Sequence, residues 1–158
     1  ISGSKNPKDW GKIPKTTTWK SWDDWVNAEC DFSANGYRLP THREWEYAAR
    51  GGNGLKGYQF QYAGSDNLDE VAVWNTDVVS EIKTKKPNDL GIYDLNGNIE
   101  EWTFDRYRGK ENVIYAGGYY FLKQPEAFAL SWHYSGSFAL SPTSRNRQLG
   151  LRVVCTAD

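Results

Sequence analysis

The chain has 158 residues and a formal net charge of −1, and 15% of it is aromatic, including eight Trp and ten Tyr. That length suits one domain with a real core, and so small a charge excludes a general binder of nucleic acid or of anionic membrane, which needs a basic surface. No stretch approaches a transmembrane span, and the aromatic content exceeds what a core asks for, so a surface that uses aromatics is expected.

Residues 1–18 carry several Pro and Gly neighbourhoods and little periodicity, which predicts an extended lead-in. Ser21 can cap a helix in which Trp22, Trp25, Val26 and Glu29 or Cys30 recur at helical spacing, as a buried stripe does. Asp31–Asn35 is a turn-rich link. Pro40 keeps Leu39 extended, Thr41 is a good N-cap, and Glu44 completes a T-x-x-E capping box. Trp45, Ala48 and Ala49 then share one face with Tyr47 at its edge, and Gly51 and Gly52 stop the helix. Glycines at 54, 57 and 64 predict turns, Val71–Trp74 a short strand and residues 76–88 a loop, whose Lys83, Lys85 and Lys86 are a solvated run. Asn96-Gly97-Asn98 is a hairpin-type signal. Strands are expected at Ile99–Phe104, Val113–Ala116, Ala127–Ser131 and Leu149–Cys155. The whole predicts an α+β plan of two helices, short antiparallel strands and long loops, one domain over 1–158. Cys30 and Cys155 fit one disulfide or two separate thiols equally well.

Four blocks carry a resemblance. GYRLPTHREWEYAARGG (Gly36–Gly52), PNDLGIYDLNGNIEEW (Pro87–Trp102), AGGYY (Ala116–Tyr120) and SRNRQLGLRVV (Ser144–Val154) stand in the order of the signatures of the formylglycine-generating-enzyme family, also called sulfatase-modifying factors. The resemblance implies a C-type-lectin-like fold. It begins near Asn6 in a chain that opens on Ile1. The family's N-terminal strands are therefore expected to be missing or trimmed, and with them any leader or lipid anchor.

The family also implies chemistry, residue by residue. Asp94, the carbonyls of Gly97 and Ile99, and Glu101 match the spacing of a calcium loop; hard oxygens on a Gly-bearing turn suit that ion, while an Asx-type turn beside a solvated acid explains the same residues without one. A second calcium loop is expected to be lost, because Ala72 replaces an amide side chain. The family's oxidase needs a copper-binding cysteine pair after its Gly-Gly motif. Residues 118–152 contain no cysteine, so the chain is expected not to be an enzyme. His42 and His133 form no metal motif with their sequence neighbours.

Residues 117–152 are the expected ligand-binding region. Tyr119, Tyr120, Phe121, Phe128, Trp132, Tyr134 and Phe138 crowd this segment, interleaved with Ser131, Ser135, Gly136 and Ser137, and Glu126 is its single acid. Aromatics with Ser and Gly, few acids and some Arg compose a binding surface. Phe128 and Leu130 are assigned to the core, and His133, Tyr134 and Ser135 to solvent. The stretch resembles the C-terminal region of variable proteins diversified by retroelements, in which adenine mutagenesis yields a restricted residue set. Tyr119, Phe121, Leu122, His133, Tyr134, Ser135, Gly136, Ser144 and Arg147 belong to that set; Trp132 and Gln148 do not.

The resemblance implies a non-catalytic bacterial binder at the cell surface or outside the cell. Tyr119, Tyr120, Phe121, Trp132, His133 and Tyr134 would form an aromatic floor, Ser135, Ser137, Arg145 and Arg147 would supply polar contacts at its rim, and Leu122, Gly136 and Ser144 complete the expected ligand-binding set. The expected partner is a protein on a host or neighbouring cell, with no nucleic acid partner and no required cofactor beyond structural calcium. The alternatives are an enzyme of the same superfamily with altered chemistry and a carbohydrate-binding module, of which Gln124-Pro125-Glu126 is a faint echo.

Overall fold

The computed structural model describes residues 30–52, 60–107, 112–130, 139–141, 144 and 146–155. By its contacts the chain divides into two compact units, Pro40–Leu151 and the two terminal segments Ile1–Leu39 with Arg152–Asp158. In the terminal unit, β1 (Tyr37–Arg38) pairs antiparallel with β8 (Val154–Cys155), and the Arg38 guanidinium lies 4.9 Å over the Phe32 ring. Cys30 and Cys155 are thiols, so the disulfide alternative falls. The expected lead-in and the helix expected from Ser21 lie outside the described residues, apart from Cys30.

In the larger unit, α1 (His42–Ala49) forms where its ends dictate. The Thr41 hydroxyl accepts the Glu44 N–H at 3.1 Å, and the Glu44 carboxylate accepts the Thr41 N–H at 2.8 Å. The His42 N–H donates to the Asp105 carboxylate, an acid placed at the positive end of the helix. At the other end Gly51 and Gly52 adopt φ of +71° and +73°, and their N–H groups close onto the carbonyls of Ala48 and Tyr47, a Schellman end. The face carrying Trp45 and Ala49 is buried against Ala63, Leu95, Ala116 and Leu130.

The main sheet has four strands in the order β6 (Ala139–Leu140), β5 (Val113–Ala116), β4 (Glu100–Arg106) and β7 (Leu149–Leu151). β4 runs antiparallel to β5, with Trp102 opposite Tyr115, and parallel to β7, with Glu100 opposite Leu149. Parallel pairing departs from the all-antiparallel expectation, and it recurs between β2 (Ala72–Val73) and β3 (Asn96–Gly97).

Three sequence expectations are corrected. Asn96-Gly97-Asn98 makes no hairpin: Gly97 is opposite Val73 in the parallel pair, and its N–H goes to the Gly117 carbonyl at 2.7 Å. The strand expected from Val71 begins one residue later. Asn67 instead caps a one-turn helix, α2 (Leu68–Val71), whose Leu68 and Val71 are both buried. The strand expected over Ala127–Ser131 is a 3-10 turn at Pro125–Phe128. Its Pro pre-sets the first turn, and residues 127–130 are buried in an unbroken run with no alternation. The core assignment of Phe128 and Leu130 stands, at 1% and 2% exposure.

Three buried asparagines hold the long loops. The Asn96 side chain pairs with both backbone groups of Ala63, and Asn98 does the same to Ser80. Asn88 donates to the Ala48 carbonyl at 2.6 Å and accepts from Leu90 and Ile92. A side-chain amide carries the same donor and acceptor as a peptide, so each replaces a missing ladder partner.

Candidate functional site

The segment leaving β5 is fixed by its backbone. The Tyr120 N–H donates to the Asn98 carbonyl at 3.1 Å, and the carbonyls of Tyr120 and Leu122 accept from Thr76 and Asn75 at 2.9 Å each. The Leu122 N–H closes a turn onto the Tyr119 carbonyl at 3.1 Å, so the side chains of this segment leave the backbone in different directions. Phe121 is exposed and Tyr119 half-buried, while Tyr120 is 5% exposed. Tyr120 is therefore no part of an exposed aromatic floor; it packs edge-on to Tyr119, ring centroids 6.3 Å apart. Leu122 is half-buried and packs on the cluster of Tyr62, Leu68, Val71, Ala72, Phe128 and Ala129, so it too belongs to the scaffold side. Lys123 lies over the outward Phe121 ring at 5.6 Å.

Further along, Ser144 is half-buried with its N–H on the Ser141 carbonyl. Arg147 is exposed in a turn that Asn146 closes by accepting the Gln148 N–H at 2.9 Å. Trp132, His133, Tyr134, Ser135, Gly136, Ser137 and Arg145 lie outside the described residues.

One face of β4 adds residues that sequence reasoning missed. Strand alternation puts Glu100 and Trp102 on one side, and Glu101 and Thr103 on the other. Trp102 meets Tyr115 edge-on at 6.3 Å. Glu100 is 4% exposed. Burial pushes its carboxyl up to about 8. Burial first and the Glu100 charge second push Tyr115 up to about 12, and the same two causes raise Tyr119. The Glu100 charge thus reaches both tyrosines. An acid alternating with Trp in an apolar strand was the available signal.

The four residues of the expected calcium loop are dispersed in role. The Glu101 carboxylate is buried and accepts the Trp45 indole N–H at 2.8 Å, while Asp94, at φ +58°, accepts the Lys83 N–H at 2.8 Å. Gly97 is buried and Ile99 half-buried between them in sequence. The donor set is hard and suits calcium, yet each carboxylate already has a protein donor that accounts for its position. A cavity lined by Ala49, Arg50, Tyr62, Asn88, Asp89 and Leu130 has about 10 Å³, room for one water and no more.

A capped helix on a small mixed sheet, long loops tied by buried amides, and an edge that turns an aromatic outward define a loop-presenting scaffold of the C-type-lectin-like kind. The chain belongs to the family described as Sulfatase-modifying factor enzyme 1-like domain, which it matches over residues 10–157. It is 42% identical over 92 residues to "Chaperone protein LppX" of Paenibacillus barcinonensis, covering 46% of this chain and 32% of that one. It is 36% identical over 104 residues to "Inactive C-alpha-formylglycine-generating enzyme 2" of Bos taurus, covering 58% and 33%. Among solved structures it resembles "Treponema denticola variable protein 1" with a TM-score of 0.67 and 30% identity, over 84% of this chain and 52% of that one. The matches thus span about a third of the length of those two curated relatives and about half of the treponemal protein.

Proposed function

We propose that this chain is a non-catalytic ligand-binding domain whose face from residues 117–152 is diversified by a retroelement to bind varied protein partners at a bacterial cell surface. One observation carries the reading: the segment after β5 separates fixed from free positions. Tyr120 and Leu122 are packed into the scaffold, Phe121 is exposed, and Tyr119 is half-buried between them. A rigid frame with recognition on its loops is the usual division of labour. The likeness to a treponemal variable protein supports it, as does the relative named as an inactive enzyme. The missing cysteine between residues 118 and 152 speaks against the oxidase alternative. Trp132, His133, Tyr134, Ser135, Gly136, Ser137, Ser144, Arg145 and Arg147 complete the proposed face. Calcium held by Asp94, Gly97, Ile99 and Glu101 would be structural in this reading.

A diversifiable face must tolerate exchange. Replacing the exposed Phe121 and Arg147 by Asn, singly, is expected to change stability by no more than about 1 kcal/mol, and the half-buried Tyr119 by no more than about 2 kcal/mol. Tyr120→Asn should cost about 3 kcal/mol, because it buries an amide where a ring packed. Urea denaturation of the four variants separates the cases. Losses of similar size at all four would show that the outward positions are load-carrying, and the reading would fail.

A further inference from the structure

Glu100 is 4% exposed on the sheet face, and no described residue donates a hydrogen bond to its carboxyl, which keeps only a narrow contact with solvent. Around it stand Trp102 next but one on β4, Tyr115 on β5 and Tyr119 just beyond β5, all half-buried, with Leu149 opposite on β7. A buried polar group without a partner is costly, and native structures keep few of them. Leu or Gln would fill the same space more cheaply, so packing does not explain an acid here.

We infer that Glu100, flanked by Tyr115, Tyr119 and Trp102, is the receptor for an arginine side chain presented by the protein ligand. The chemistry selects that group. A guanidinium at Glu100 favours loss of the carboxyl proton, and the carboxylate then accepts the guanidinium through two parallel hydrogen bonds, while the electron-rich faces of Tyr and Trp attract a flat, weakly hydrated cation. Lys offers a strongly hydrated point charge instead and gains less from such walls. Tyr119 belongs both to this receptor and to the outward face, so the arginine is an anchor that the varying positions surround. The inference rests on that face being the ligand-binding one.

The test uses the whole chain with isotope-labelled tryptophan, and the peptide acetyl-Gly-Arg-Gly-amide as probe. The Trp102 indole N–H resonance, assigned with Trp102→Phe, is followed through the titration. A saturable shift is expected, and none with the citrulline peptide, which has the same shape and no charge. Glu100→Gln, which preserves shape, is expected to weaken binding about tenfold or more through loss of the charge-assisted pair. Tyr119→Leu keeps the carboxyl and removes one wall, and should weaken it severalfold; it serves if Glu100→Gln does not fold. No saturable shift, equal binding of citrulline, equal binding of a lysine peptide, or unchanged affinity in Glu100→Gln would each overturn the assignment. These outcomes leave diversification untouched, whereas a gene whose 3′ end does not vary would end that reading and leave arginine recognition standing.

Discussion

Replacing Gly97 by alanine is expected to abolish cooperative folding. A Cβ at that position would lie 2.1 Å from the Val73 carbonyl oxygen and 2.9 Å from its carbon. Both are backbone atoms of the paired strand, so no rotamer change relieves the collision. The residue also has φ +73°, where a side chain alone costs about 1–2 kcal/mol. The neighbourhood cannot move freely. The Val73 carbonyl already accepts the Asn98 N–H at 2.8 Å, and the Gly97 N–H holds the Gly117 carbonyl at 2.7 Å. Shifting β3 would therefore open β2 and the start of the Tyr119 segment together. The loss should exceed about 4 kcal/mol, against a whole-domain stability of about 5–15 kcal/mol. Gly91→Ala isolates the backbone term. It has φ +72°, and nothing lies within 4 Å of its Cβ position, so it should cost only about 1 kcal/mol. Urea melts followed by near-ultraviolet circular dichroism measure both. Equal losses would mean that the close approach of β2 and β3 is wrong.

Trp45→Ala should be the next most damaging change, at about 4–5 kcal/mol from lost burial and the space left behind. Trp45 is 2% exposed and packs with Ala49, Ala63, Leu95, Ala116 and Leu130. Its indole also donates to the buried Glu101 carboxylate at 2.8 Å, tying α1 to β4. Trp45→Phe keeps most of the ring and removes that donor, so about 2–3 kcal/mol is expected, the scale of a hydrogen bond to a buried charged group. Glu101→Gln lowers the demand for the donor. The double variant Trp45→Phe with Glu101→Gln should therefore cost about 1 kcal/mol less than the two singles summed. Strict additivity in denaturation would show that the indole and the carboxylate do not act together.

What could be seen in the sequence was what local chemistry decides. Thr41, Glu44, Gly51 and Gly52 specify α1 within ten residues or so, and the observed bonds are the ones a capping box and a glycine stop require. The failures lie where a distant partner decides. Asn96-Gly97 is a hairpin signal only if its own flanks pair, but here the partners are Val73 and Gly117. Ala127–Leu130 looked like alternation because Ala and Phe differ in size, yet all four residues are buried, and Pro125 starts a helical turn.

The site divides the same way. Residue type identified the aromatic segment, but not which of Tyr119, Tyr120 and Phe121 faces out. Distant hydrogen bonds from Asn75 and Thr76 and to Asn98 decide that, together with the turn that Leu122 closes onto Tyr119. Glu100 escaped notice for a like reason: a Glu in a strand reads as solvated until its neighbours on β5 and β7 are known.

The central claim is diversification, and the most direct measurement is the sequence of this gene's 3′ end from many isolates, with a search for a near-copy beside it. Substitutions should concentrate at codons between Tyr119 and Arg147, match adenines in the near-copy, and spare Tyr120, Phe128 and Leu130, whose side chains are buried. An invariant segment with no near-copy, or substitutions falling on the buried positions as often as on Tyr119 and Phe121, would contradict it.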